Sequence, residues 1–207
     1  KVRFMPFSTI NPYTGETVKT FADATDSEIA AAITRADETF KQWRVLSITD
    51  RVPVLQKAAD ILRERKTAFA KIITLEMGKI LAEAEAEVEL SAAIFEYYVN
   101  NAGKLLADEP LPVADPAEGK AVLVHQPLGV ILAIEPWNFP FYQIARILAP
   151  QLAAGNTLLL KHASNVPQCA EAFQQLMLDA GLPAGGFTNL FLPHNKIEDV
   201  LKDPRVH

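Results

Sequence analysis

The sequence has a single cysteine, Cys169, among 207 residues, and one cysteine cannot form a disulfide within the chain. Its four histidines show none of the spacings typical of metal sites, so we expect no metal centre. They are His125, His162, His194 and His207. No apolar run approaches the roughly 18 residues of a spanning helix. The N-terminus also lacks the apolar stretch of a signal peptide. We therefore predict a cytoplasmic protein without a membrane segment.

Runs of lysine or arginine are absent too, and the formal net charge is −5. This balance argues against nucleic acid or an anionic membrane as the main partner, whereas isolated arginines can still bind small anions. Hydrophobic residues make up 49% of the chain, enough for a substantial core. The length favours one domain, or one domain with an appendage.

The chain contains no Gly-x-Gly-x-x-Gly, the usual fingerprint of dinucleotide-binding folds. Gly185-Gly186 is interpreted only as a turn. No internal repeat or low-complexity tract is visible. If the chain binds a nucleotide, the binding residues lie in other motifs.

Helical periodicity begins near residue 25. Thr25-Asp26-Ser27-Glu28 has the Thr-x-x-Glu form of a capping box and predicts the start of a helix. Apolar residues at three- and four-residue spacing then predict one buried stripe. These are Ile29, Ile33, Ala36, Phe40 and Trp43.

Two further helical patterns complete the first half of the chain. One runs over about 49–77 with Gly78 as its stop, and the other over about 80–102 with Gly103 as its stop. The acidic run from Glu83 to Glu87 is interpreted as the solvated face of the second helix. The first half is thus predicted to be mostly helical.

The second half alternates strands and helices. Extended segments at 121–126 and 130–134, around Pro127-Leu128-Gly129, predict two strands joined by a turn. The pattern that follows predicts helix 141–154, strand 157–160, helix 166–180, strand 188–192 and helix 197–202. Such alternation predicts a parallel sheet with right-handed crossovers, hence an open α/β domain. The alternation would require another strand after residues 203–207, so we expect the fold to be incomplete there.

The stretch from Ala133 to Pro140 joins a predicted strand to a helix through a proline-bounded turn. In α/β proteins, ligands bind at such a turn before a helix N-terminus. Asn138 carries a neutral amide in this turn, which can donate to an oxyanion without itself titrating. An Asx turn or a helix cap is the alternative for Asn138. For Trp137 the alternative is a packing role.

Lys161 follows the apolar run Leu158-Leu159-Leu160, at the edge where open α/β sheets bind ligands. Its ammonium could bond a ribose hydroxyl or a phosphate, and a solvated lysine at the strand end is the alternative. Ser164 in the next turn could donate to a phosphate or cap the following helix. Cys169 has no basic neighbour in sequence and is interpreted as a buried, inert thiol.

Arg146 interrupts a helical segment that is otherwise apolar on all sides. A guanidinium in such a place needs an anion. Phe139 and Tyr142 fall on the same side of the helix at helical spacing, so an aromatic wall would lead to the positive charge. The alternative is an internal salt bridge to a glutamate.

Four motifs together resemble the amino-terminal half of an NAD(P)-dependent aldehyde dehydrogenase, over nearly the whole chain. They are Pro136-Trp137-Asn138-Phe139-Pro140, Ala153-Ala154-Gly155-Asn156, Lys161-His162-Ala163-Ser164-Asn165 and Gly181-Leu182-Pro183-Ala184-Gly185. Lys-His-Ala-Ser-Asn replaces the usual Lys-Pro-x-Glu of the superfamily. With Arg146 in its helix, this replacement resembles the succinate-semialdehyde dehydrogenase branch.

The resemblance implies a modified Rossmann-type cofactor domain over 1–107 and 127–207, interrupted by an oligomerisation hairpin at 108–126. It implies that NADP, with NAD as an alternative, binds between Ile134, Pro136, Trp137, Asn138, Lys161 and Ser164. Asn138 would supply the side-chain half of an oxyanion hole. Arg146 would hold the distal carboxylate of the substrate, beside Phe139 and Tyr142. A homodimer or homotetramer is implied for the full-length protein.

In the family's reaction, a cysteine thiolate attacks the aldehyde, hydride passes from the thiohemiacetal to nicotinamide, and water activated by a glutamate hydrolyses the thioester. Cys169 does not match the position of that nucleophile. The catalytic cysteine and glutamate, and the whole catalytic domain, would lie after His207, so we expect the chain alone to be inactive. The alternatives are a non-catalytic nucleotide-binding or assembly module, or a dehydrogenase of plain aliphatic aldehydes.

Overall fold

A computed structural model describes residues 7–115, 117 and 119–207. Its strands are β1 Phe7–Ile10, β2 Thr17–Phe21, β3 Glu109–Leu111, β4 Ala121–Leu123, β5 Val130–Glu135, β6 Thr157–His162 and β7 Phe187–Asn189. Its α-helices are α1 Asp26–Trp43, α2 Ile48–Glu64, α3 Lys66–Met77, α4 Leu81–Leu105, α5 Pro140–Ala154, α6 Pro167–Asp179 and α7 Ile197–Leu201.

Local sequence signals determine where the first four helices begin and end. Thr25 and Glu28 form the predicted capping box of α1, and Ser47 with Asp50 forms another at α2. Gly78 ends α3 with a φ of 76°, in the left-handed region that glycine adopts without strain. These boundaries follow from backbone groups that must be satisfied at helix ends.

Two predicted helix boundaries are wrong. The pattern over 49–77 forms two helices rather than one, because Arg65 leaves the helical conformation with φ −103° and ψ 18°. Gly103 does not stop α4, which continues to Leu105. The helix tolerates a glycine at a cost of about 1 kcal/mol, which tertiary packing can offset.

The central sheet has the strand order β5-β6-β7, and both strand pairs are parallel. Helix α5 connects β5 to β6, and α6 connects β6 to β7. Beside β5, Val206 forms a parallel bridge to Val130. The amide of His207 donates to the Val130 carbonyl at 2.8 Å. The sheet therefore continues past β5 where the alternation predicted another strand, and the fold is the predicted open α/β class.

Apolar cores cover both faces of this sheet. On one face, the α1 residues Ile29, Ile33 and Ala36 pack with Leu159 of β6. On the other face, helices α2 to α6 bury Leu158 and Leu160. All five residues of the predicted α1 stripe are buried, which confirms the helical periodicity. The sheet edges at the strand ends remain available for ligands.

Two antiparallel hairpins lie outside the central sheet, β1–β2 and β3–β4. The two strands predicted around Pro127-Leu128-Gly129 are present as β4 and β5, and β4 pairs with β3. β5 pairs with β6, and its residues Val130 and Ala133 are buried in the core. The predicted domain ranges also include residues 1–6, 116 and 118, which lie outside the described residues.

Candidate functional site

The strand register brings the predicted ligand residues to one edge of the sheet. Ile134 at the end of β5 pairs with Lys161 at the end of β6, and Glu135 pairs with His162. Because the strands are parallel, the segments after both strands leave the sheet at the same edge. This is the edge where open α/β sheets bind ligands.

Between β5 and α5, the turn 136–139 exposes its side chains. Trp137 is 51% exposed and Phe139 is 43% exposed, although both are large apolar residues. Asn138 lies between them and is exposed as well. The N-cap of α5 is Phe139, and no side chain of the turn caps the helix. The alternative of Asn138 as a helix cap is therefore wrong, and its amide is left for other partners.

The first turn of α5 is instead capped from a distant helix. Glu87 of α4 accepts hydrogen bonds from the amides of Phe141 at 2.8 Å and Tyr142 at 3.2 Å, both on Oε1. Its other oxygen is ion-paired with Lys79. The Lys79 ammonium also donates to the Asn138 carbonyl at 3.1 Å. Its Nζ lies 3.7 Å from the centroid of the Phe139 ring.

This arrangement corrects the interpretation of the acidic run from Glu83 to Glu87. Glu83 is exposed, but only 3% of Glu87 is exposed. A signal was present in the sequence, because Ala84, Val88 and Ala92 form a buried stripe at helical spacing. Position 87 lies beside that stripe, so the helical period would have placed Glu87 inside.

His162 holds the same turn from the side of the sheet. It is 1% exposed, and its Nδ1 accepts from the Ala163 amide at 2.9 Å. The same Nδ1 lies 3.2 Å from the Glu135 carbonyl, and Nε2 lies 3.0 Å from the Pro140 carbonyl. Burial lowers the pKa of His162 to about 4. His162 is therefore a buried, neutral side chain that connects β6 to the first residue of α5.

Lys161 lies at the carboxyl end of β6 and is partly buried. Burial lowers the pKa of its ammonium. Its Nζ lies 5.8 Å from the centroid of the Phe7 ring, and no carboxylate of the described residues lies within ion-pair distance. A partly desolvated ammonium without an anion can bind one.

Ser164 lies in the turn that follows β6. Its carbonyl accepts from the Ser8 amide at 3.0 Å, so β1 fixes the backbone of this turn. Helix α6 begins with Val166 as its N-cap and has no local side-chain cap. The alternative of Ser164 as the cap of α6 is therefore wrong. Its hydroxyl makes no capping hydrogen bond to α6.

Glu76 of α3 caps α6, in the same way that Glu87 caps α5. Its two carboxylate oxygens accept from the amides of Gln168 and Cys169, each at 2.9 Å. Thr9 donates to the same carboxylate. Burial raises the pKa of Glu76 despite these hydrogen bonds.

Cys169 is fully buried in the first turn of α6. Burial raises the pKa of its thiol well above the usual value, and the neighbouring Glu76 adds to the effect. The interpretation of Cys169 as a buried thiol is confirmed. It cannot present a thiolate to a substrate under ordinary conditions.

Arg146 projects from α5 and is exposed. Its guanidinium carbon lies 5.8 Å from the centroid of the Tyr142 ring, and the Phe139 and Tyr142 rings meet edge to face at 5.9 Å. Within the described residues Arg146 has no ion-pair partner, so the internal salt bridge is not found. The structure thus brings the three residues together as the helical spacing predicts.

The described part of the chain contains no group of three or more His, Cys, Asp or Glu side chains that could hold a metal ion. Over the same residues, no helix is long and apolar enough to cross a membrane. The candidate side chains at and after the ends of β5 and β6 are an amide, a hydroxyl and an ammonium, and the Arg146 guanidinium lies further along α5. These groups bind anions and stabilise developing negative charge.

Comparison with known proteins gives one family. The profile of the aldehyde dehydrogenase family matches residues 3–207. A succinate-semialdehyde dehydrogenase (NADP+) from Deinococcus radiodurans is 48% identical over 201 residues, which are 97% of this chain and 42% of the relative. Succinate-semialdehyde dehydrogenase (NADP+) 1 from Mycobacterium tuberculosis is 50% identical over 202 residues, or 98% of this chain and 44% of the relative.

Solved structures agree. Succinic semialdehyde dehydrogenase from Streptococcus pyogenes, in complex with NADP+, superposes with a TM-score of 0.93 at 42% identity. The match covers 97% of this chain and 44% of that chain. The chain spans less than half the length of the curated relatives it matches.

Proposed function

The chain belongs to the aldehyde dehydrogenase family, and we propose that it is the cofactor-binding portion of an enzyme that oxidises succinate semialdehyde with NADP. One observation carries the proposal. The exposed turn with Asn138, the lysine and serine that follow β6, and the unpaired Arg146 all lie at or beside one carboxyl edge of the sheet. An oxyanion donor, phosphate ligands and a carboxylate ligand are thus combined at one place.

The residues at the edge fit a phosphorylated dinucleotide. Lys161 offers a partly buried ammonium and Ser164 a neutral hydroxyl, both suited to a ribose hydroxyl or a 2′-phosphate. Ile134, Pro136 and Trp137 offer exposed apolar surface beside them. When bound, the cofactor supplies the acceptor for a hydride.

Asn138 stabilises the negative charge that develops on the aldehyde oxygen. Its amide donates a hydrogen bond and stays neutral at all working pH values. Donors fixed where charge develops contribute more than donors that must reorient, because no reorganisation is needed during the reaction. The absence of a capping role leaves this amide available.

Arg146 binds the distal carboxylate of the substrate. The guanidinium stays charged and offers two parallel donors to a carboxylate. Tyr142 and Phe139 form an aromatic wall between the arginine and Asn138 on the same side of α5. A short dicarboxylic semialdehyde would place its aldehyde at Asn138 and its carboxylate at Arg146.

The nucleophile is the part of this chemistry that the chain does not supply. Cys169 is fully buried, with a raised thiol pKa. We assign the catalytic cysteine, the base glutamate and the catalytic domain to a longer polypeptide, as the greater length of the relatives suggests. Residues 1–107 and 127–207 would then be its cofactor-binding domain.

We assign residues 108–126 to an oligomerisation hairpin. Strands β3 and β4 pair only with each other within the described residues, and Leu111, Val122 and Leu123 are exposed. Apolar side chains on a free two-stranded ribbon are typical of a surface that another subunit covers. The occupant in this proposal is a second copy, giving a homodimer or homotetramer.

The test is a kinetic assay of the full-length enzyme that contains this sequence. We expect NADPH formation with succinate semialdehyde, at a higher kcat/KM than with butanal. Binding of NADP without turnover of any aldehyde would favour a non-catalytic module instead. Equal kcat/KM for both aldehydes would favour an enzyme for plain aliphatic substrates.

A further inference from the structure

The turn that carries Asn138 has few hydrogen bonds of its own. Pro136 and Pro140 bound it, and proline has no amide N–H to donate. Within the described residues, Asn138 has one hydrogen-bond partner, the Lys79 ammonium, which donates to its carbonyl at 3.1 Å. The placement of the Asn138 backbone therefore depends on where Lys79 is held.

Lys79 is itself held firmly. Its side chain is 8% exposed and that of its ion-pair partner Glu87 is 1% exposed. The ammonium packs on the Phe139 ring at 3.7 Å, a desolvated cation–π contact. These contacts fix the position of the donor.

Glu87 connects this donor to the rigid part of the fold. Through Oε1 it accepts from the first amides of α5, at Phe141 and Tyr142. One carboxylate therefore ties the ammonium that holds Asn138 to the helix that carries Tyr142 and Arg146. A carboxylate at a helix N-terminus is also stabilised by the helix dipole.

We propose that Lys79 and Glu87 are positioning residues that set the place of the Asn138 amide for catalysis. The inference rests on the proposed function, because it needs Asn138 to act on the reacting oxygen. Stability alone does not explain the pair, since apolar side chains often replace a buried ion pair at no cost. Apolar side chains would, however, remove the protein partner of the Asn138 carbonyl and leave the buried Phe141 amide without its acceptor.

The test is a double-mutant cycle in the full-length enzyme, with Lys79→Met, Asn138→Ala and both together. We expect Lys79→Met to lower kcat at least tenfold while KM for NADP changes less than twofold. In the Asn138→Ala background the same substitution should lower kcat less than twofold, because the group it positions is gone. Lys57→Met, at an exposed lysine of α2, is the matched control and should leave kcat unchanged.

Two outcomes separate the inference from the proposed function. If Asn138→Ala lowers kcat and Lys79→Met lowers it equally in both backgrounds, Lys79 is not a positioning residue, and the proposed function stands. If Asn138→Ala keeps full kcat, both the oxyanion role and the inference are overturned.

A second variant distinguishes loss of the positioning contact from loss of folding in Lys79→Met. Lys79→Met leaves the Glu87 carboxylate buried without its cation, which can destabilise the chain. In Lys79→Met/Glu87→Gln the charges balance, and the glutamine carbonyl can still accept from the α5 amides. We expect this variant to regain the thermal stability of the wild type but not its kcat. Recovery of kcat would overturn the inference.

Discussion

Arg146 interrupts an apolar helix and has no ion-pair partner among the described residues. Burial raises the pKa of the Glu135 carboxyl, and the charge of Arg146 opposes that rise. An arginine that the fold does not neutralise is free to select a charged substrate. In the proposed function, the preference for a carboxylate-bearing substrate therefore depends on Arg146.

The corresponding prediction concerns Arg146→Met in the full-length enzyme. We expect kcat/KM for succinate semialdehyde to fall about thirtyfold, equivalent to about 2 kcal/mol for a lost charge-assisted pair. Butanal, which has no carboxylate, should be oxidised as before. The measurement is the ratio of the two kcat/KM values, with Lys57→Met as control. An unchanged ratio would assign Arg146 to a structural role.

Ser164 is the residue that we expect to set cofactor choice. A glutamate in its place would accept hydrogen bonds from the ribose hydroxyls of NAD but repel the 2′-phosphate of NADP. We predict that the wild type uses NADP at least as well as NAD. Ser164→Glu should shift the ratio of kcat/KM toward NAD at least about tenfold, or roughly 1.4 kcal/mol.

We expect Ser164→Glu to leave the backbone contact of this turn unchanged. The Ser164 carbonyl is bonded to the Ser8 amide, and that contact does not involve the serine side chain. Ser164→Ala is the matched control, which removes the hydroxyl without adding charge and should change the ratio much less. A strong NAD preference in the wild type, unaltered by Ser164→Glu, would contradict this account of the cofactor site.

At the scale of elements, α5 and α6 are capped at their N-termini in the same way. Both begin with proline and lack a local cap, and a buried glutamate from another helix satisfies their first amides. Glu87 comes from α4 and Glu76 from α3. The helical layer thereby fixes the two helix N-termini that border the ligand edge. The helical first half of the chain is thus part of the site's architecture.

The buried His162, which connects β6 to α5, leads to a prediction on the free energy of unfolding. The pKa of His162 is about 4 in the folded chain, against 6.5 ordinarily. Between these pH values the unfolded chain binds a proton that the folded chain does not. The contribution of His162 to the free energy of unfolding is therefore fully present above pH 6.5. It is lost as the pH falls toward 4, by about 3 kcal/mol in all.

We expect His162→Gln to reduce this acid sensitivity. Between pH 7 and pH 5 the free energy of unfolding should fall by about 2 kcal/mol more in the wild type than in the variant. Urea titrations of the 207-residue chain at both pH values provide the measurement. His125→Gln, at an exposed histidine, is the control. Parallel pH dependence in wild type and His162→Gln would show that His162 does not titrate as described.

At the scale of the whole molecule, the proposed binding groups and the one thiol lie in different environments. The chain builds a sheet edge with an amide, a lysine, a serine and an arginine, while its one thiol is sealed in the core. Residues 206 and 207 extend the sheet beside β5. The cytoplasmic location inferred from composition stays a prediction.

We predict that purified residues 1–207 produce no NADPH or NADH in response to an aldehyde. The first covalent step needs an accessible thiolate, and Cys169 is buried with a raised thiol pKa. The assay is absorbance of the reduced cofactor, with the full-length enzyme as the positive control. Aldehyde-dependent turnover that disappears in Cys169→Ser would contradict the prediction.

The sequence by itself determined the features that depend on neighbours along the chain. Capping residues such as Thr25, the left-handed Gly78 and the apolar period of α1 follow from local backbone and solvation requirements, and all were predictable. The burial of Cys169 followed for the same reason. The order of strands and helices also indicated the α/β class.

Tertiary structure decided what depends on residues far apart in the chain. Glu87 was predicted as solvated and is buried; the helical period places it beside the buried stripe of α4, but the amides it caps lie 54 and 55 positions further on, where local sequence does not point. The same holds for His162 and the Pro140 carbonyl, and for β4, whose strand partner is β3 rather than β5. A buried carboxylate or imidazole is stable only where folding provides its hydrogen-bond partners, and local sequence does not contain that information.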